Sequence, residues 1–147
     1  MYKRILVPLD GSDLTDRAIP ASIELAQQLG ATVIGFVAEP LPPLPTSPRN
    51  ESLLREELRR HAATTQAHAE GVLARFAAAA QEAGVPFEGW HDEAPRVHKA
   101  ILAAAEARSA DMIVMVTHGR GAFGEFLFGS QTKAVLAESQ IPLLVLH

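Results

Sequence analysis

The chain has 147 residues, a formal net charge of −4 and 48% hydrophobic residues, which suits one domain, residues 1–147, with a sizeable core. Its scattered lysines and arginines form no basic run, which argues against a nucleic-acid or anionic-membrane partner, and the absence of cysteine excludes disulfides and thiolate chemistry. No apolar run approaches the ~18 residues of a membrane-spanning helix, and MYKRILVPLDGS enters a strand pattern with no signal peptide, so a cytoplasmic protein is expected.

In chain order, Ile5, Leu6, Val7 and Leu9 predict a short buried strand. Pro8 lacks an amide donor and suits the end of that strand, which leaves Asp10 at its carboxyl end. Gly11, Ser12 and Asp13 read as a turn, and Leu14, Ala18, Ala21, Leu25 and Leu29 recur at helical spacing until Gly30. Pro20 falls inside this helix and predicts an irregular first turn or a later start. Thr32 to Ala38 is the second strand, and Glu39 to Asn50 is a loop with five prolines. From about Glu51 a long helix is expected to reach Gly84, with Leu58, Ala62, Thr65, Ala69, Val72, Phe76, Ala79 and Ala83 on its buried face. Val85 to Trp90 reads as the third strand, and Pro95 as the start of a third helix through Val97, Ile101, Leu102 and Ala105.

The stretch from Asp111 to Gln131, DMIVMVTHGRGAFGEFLFGSQ, carries most of the functional signal. Met112 to Val116 is apolar without alternation, as a parallel strand covered on both faces requires. Gly119, Gly121, Gly124 and Gly129 follow, and Ser130, read as an N-cap, opens a helix to about Ser139. A glycine loop that ends at a helix start presents unpaired amides and a positive dipole end, so a phosphate is the first ligand to consider. Pro142 to Leu146 is the fifth strand.

Strands alternating with helices imply an α/β three-layer sandwich with a five-stranded parallel sheet. In the order 3-2-1-4-5 the Asp10 turn and the Gly119 to Ser130 loop share one crevice at the carboxyl ends of strands 1 and 4.

YKRILVPLDGS, DMIVMVTHGRGAFGEFLFGSQTKAVL and IPLLVL resemble the universal stress protein family over essentially the whole chain. The resemblance implies an adenine nucleotide alpha hydrolase-like fold. ATP-binding members carry a glycine, two residues, a second glycine, nine residues, then glycine with serine or threonine. Gly119, nine residues, Gly129 and Ser130 fit the later elements, whereas Val116 stands where the first glycine belongs. The resemblance implies that Asp10 and the Val37 backbone meet the adenine or ribose, and that Gly119, Gly129, Ser130 and the Gln131 amide hold phosphates accompanied by Mg²⁺. Pro8, Val116, His118 and Arg120 complete the candidate set. It also implies a homodimer through the apolar strand Leu143 to Leu146, a sheet edge open to pairing.

Other patterns carry less. Asp10 could simply cap its turn, and Arg120 and Lys133 could be solvated charges instead of phosphate screens. His61 and His68 lie seven residues apart on the long helix and read as border residues, not ligands. His91, Asp92, Glu93 and His98 come nearest to a metal cluster but lack a zinc-type spacing. Ser12 has no nucleophile-elbow surround, so hydrolase chemistry is unsupported beyond slow ATP hydrolysis at most. Two functions remain open: a nucleotide-binding regulator, or an ATP-independent homodimeric stress-response interaction module. Val116 is the residue that separates them.

Overall fold

The computed structural model describes residues 1–42, 50–117 and 129–147. The elements run β1 (Arg4–Leu9), α1 (Thr15–Leu29), β2 (Thr32–Glu39), α2 (Glu51–Glu82), β3 (Phe87–Glu93), α3 (Val97–Ala107), β4 (Met112–Val116), α4 (Ser130–Glu138) and β5 (Leu143–Leu146). All five strands are parallel in the order β3-β2-β1-β4-β5, as the alternation of strands and helices predicts.

The pleat sends alternate residues to opposite faces, and both faces are dry. Ile5, Val7, Val33, Val37 and Val114 join Ile19, Ile23 and Phe76 under α1 and α2. Leu6, Ile34, Phe36, Ile113 and Met115 join Ile101, Ala105 and Val135 under α3 and α4. That two-sided burial is why the central strands read as unbroken apolar runs. The edges differ: every residue of β5 is only half-buried, and β3 carries polar residues.

Several boundaries depart from expectation for local reasons. Pro20 lies inside α1, and the start of the helix is wound by tight bonds from the amides of Thr15, Asp16 and Arg17 to the carbonyls of Ser12, Asp13 and Leu14 at 3.0–3.2 Å. The expected irregular first turn is thus present. β3 begins at Phe87 and runs to Glu93 because β2 extends to Glu39 and pairs Val37, Ala38 and Glu39 with His91, Asp92 and Glu93. Pro95 precedes α3, whose N-cap is Arg96.

The expected buried face of α2 is half right. Asn50 caps the helix by accepting the Leu53 amide at 2.8 Å, but the buried residues begin only at Ala69, and Leu58 is 42% exposed. A helix of 32 residues is about 48 Å long, whereas the eight-residue strand β2 beneath it is about 26 Å, so its N-terminal half overhangs the sheet.

Candidate functional site

Three helices start around one cleft. The first helical residues of α1, α3 and α4, which are Thr15, Val97 and Ser130, all line a cavity of about 280 Å³ at the carboxyl ends of β1 and β4. Helix N-termini carry partial positive charge, so three of them aimed at one space favour an anion there.

Not all three are available. The first amides of α1 are bonded to carbonyls of residues 12–14, and the His98 amide of α3 donates to Gln131 Oε1 at 3.0 Å. At α4 the N-cap is Gly129, in extended conformation with no side-chain cap, and Ser130 is the first helical residue, which corrects the reading of Ser130 as N-cap. An extended N-cap without a side chain leaves the first-turn amides of α4 without the serine or aspartate oxygen that usually receives them.

The turn after β1 is wired internally. Asp10 Oδ1 accepts the Ser12 amide at 2.9 Å, and Thr15 Oγ1 accepts the Gly11 amide at 3.0 Å. Gly11 has φ +81°, which few residues with a side chain adopt. Asp10 is exposed and lines the cleft.

Of the candidates read from the sequence, Pro8, Asp10, Val116, Gly129, Ser130 and Gln131 line this cleft. Val37 is one strand away, opposite Leu9, with its side chain in the core beneath α1 and α2. His118, Gly119 and Arg120 lie outside the described residues, as do Gly121 and Gly124. Val116 is half-buried against the same core that Val37 enters. Lys133 and the His91 to His98 group do not line the cleft, and no cluster of metal-ligand type occurs among the described residues.

Sequence reasoning missed the threonines. Thr15, Thr117 and Thr132 line the cleft and are 2%, 5% and 4% exposed. Thr117 Oγ1 is buried with no hydrogen-bond partner among the described residues, a costly state in an interior. The same residue is held at both ends of its backbone: its amide donates to the Leu146 carbonyl at 2.8 Å, and its carbonyl accepts from Arg17 Nη1 at 3.3 Å. Nothing in the sequence marks one threonine among several as an unpaired hydroxyl. The apolar floor of Val97, Ile101 and Met115 was legible only as core.

The fold recurs in solved structures. A universal stress protein in complex with cAMP is 24% identical, with a TM-score of 0.69 over 99% of this chain and 97% of that one. One from Archaeoglobus fulgidus in complex with dAMP is 19% identical, with a TM-score of 0.65 over 99% and 98%. At that identity the likeness is one of fold, and it makes the architecture adenine nucleotide alpha hydrolase-like. Sequence carries the kinship further. A universal stress protein of Thermus aquaticus is 38% identical over 148 residues, covering the whole of both chains. The model of the Universal stress protein family matches residues 1–147, and the chain belongs to that family.

Proposed function

We propose that the chain is a nucleotide-binding regulator that holds ATP at the carboxyl ends of β1 and β4, with phosphates on the segment from Gly119 to Ser130. The observation that carries this reading is the uncapped start of α4 at Gly129, opening on the cleft beside Asp10. The cavity, at about 280 Å³, is near the lower end of small-molecule sites, and its apolar floor with a few polar groups at the rim suits a base and ribose. Relatives of the same fold in complex with cAMP and dAMP support an adenine nucleotide as the ligand class. Asp10 would take ribose hydroxyls, the α4 amides a phosphate, and Mg²⁺ would balance phosphate charge. The groups of this chain bind and orient; hydrolysis is not asked of them.

The test is thermal unfolding with and without MgATP. At a hundred times its dissociation constant a ligand adds about 2.7 kcal/mol, which for a domain of this size is a melting shift of about 5 to 10 °C. No shift at millimolar nucleotide would remove the regulator reading. Val116, in place of the family's first glycine, favours the second reading, an ATP-independent homodimeric interaction module. On either reading we propose a homodimer through β5, whose four apolar residues are left half-buried at the sheet edge. Sedimentation showing a monomer at tens of micromolar would refute the dimer.

A further inference from the structure

Ahead of its buried face, α2 makes two contacts of one kind. His68 Nε2 lies 3.0 Å from the Asp10 carbonyl, and His61 Nε2, two turns earlier, lies 3.0 Å from the Pro40 carbonyl. A carbonyl has no hydrogen to give, so Nε2 is the donor in both. These carbonyls lie just beyond the carboxyl ends of β1 and β2, while the buried face of α2 begins only at Ala69. Where hydrophobic packing stops, an imidazole takes over.

At His68 the contact is close. A Cβ placed on Gly11 would meet the imidazole at 2.5 Å and the Val72 side chain at 3.2 Å, so the turn after β1 is pressed against α2. That turn presents Asp10, and its internal bonds from Ser12 to Asp10 and from Gly11 to Thr15 hold only while the backbone keeps this course. We propose that His68 is a positioning residue for the nucleotide cleft: by donating to the Asp10 carbonyl it fixes the turn that aims the Asp10 carboxylate. The consequence for ligand binding rests on the function proposed above; the latch itself does not.

Two measurements on the full chain separate the two. In His68→Ala, exchange of the Gly11 and Ser12 amides should quicken and the MgATP dissociation constant should rise, each about three- to tenfold, as expected for one neutral hydrogen bond. The melting temperature should hardly change, because alanine is the better helix former at an exposed position. His68→Gln, whose carboxamide nitrogen reaches about as far as Nε2, should restore both. His61→Ala should leave the Gly11 and Ser12 amides unchanged, since it holds the end of β2. Exchange unaltered in His68→Ala, or no rescue by glutamine, overturns the latch. A wild type that binds no MgATP overturns the nucleotide reading, and the exchange arm still decides the latch. Quickened exchange with unchanged affinity refutes the positioning role.

Discussion

Gly129→Asp should strengthen the free protein and weaken its nucleotide binding at least about ten- to a hundredfold, two effects of opposite sign from one side chain. Gly129 is the N-cap of α4, at φ −62° and ψ 159°, an extended conformation open to any residue, and a Cβ there meets nothing within 4 Å among the described residues. Aspartate at that position can accept an amide of the first turn, worth a few tenths of a kcal/mol over glycine, and its charge at the helix start adds about 0.3 to 1 kcal/mol. The unliganded melting temperature should therefore rise by about 1 to 4 °C. The same carboxylate occupies the amides and the positive end that a phosphate would need. Losing one charge-assisted hydrogen bond costs about 1.5 to 3 kcal/mol, or some ten- to a hundredfold in affinity, and repulsion between carboxylate and phosphate adds to it. Calorimetric titration with MgATP, alongside thermal unfolding of the free protein, reads both. Undiminished affinity would place the phosphates elsewhere, and a lowered melting point would refute the account of α4 as an uncapped helix.

Thr117→Val removes a buried hydroxyl that has no partner among the described residues and keeps the shape, so the free protein should gain about 1 kcal/mol in denaturant unfolding; a loss of similar size would mean the hydroxyl is satisfied. Val116→Gly should cost about 1 to 3 kcal/mol of unliganded stability through lost packing, yet tighten MgATP binding if the valine methyls crowd the ribose; only the second effect depends on ligand concentration. Glu88→Gln tests the pair with Arg4, whose Nη1 and Nη2 donate to both carboxylate oxygens at 3.0 and 2.9 Å. Those hydrogen bonds hold the Glu88 carboxyl below its usual range against the opposing effect of burial. A depressed folded-state value gives stability that is present above the ordinary carboxylate range and lost as pH falls through the depressed value. The side chains are 40% and 32% exposed, so screening limits the pair to about 0.2 to 1 kcal/mol. Wild type should exceed the variant by that margin at neutral pH, with the gap closing on acidification; a constant gap would refute the assignment.

What the sequence conveys and what it hides divide along the kind of force involved. Strand order and the two-sided core were legible because burial on both faces leaves a run such as MIVMV with no polar residue, and a parallel sheet then needs helical crossovers. Asp10 at the end of β1 and a helix start beside Gly129 were legible because chemistry restricts which residues serve at a strand end or a helix start, whereas Gly119 to Gly124 lie outside the described residues. Polar geometry across elements was not. His68 and His61 share a helical spacing that reads as the border of a hydrophobic face, yet the overhang of α2 turns that border toward two carbonyls. The same length mismatch exposes Leu58, which periodicity assigned to the core. Periodicity tells which residues share a face but not where the neighbouring strand ends. Likewise the capping role passed from Ser130 to Gly129 by one residue, a shift invisible to composition. It nevertheless decides whether a serine hydroxyl or a bare glycine stands at the N-cap of α4, so among the positions at which the sequence was misread it is the one on which the functional proposal most directly turns.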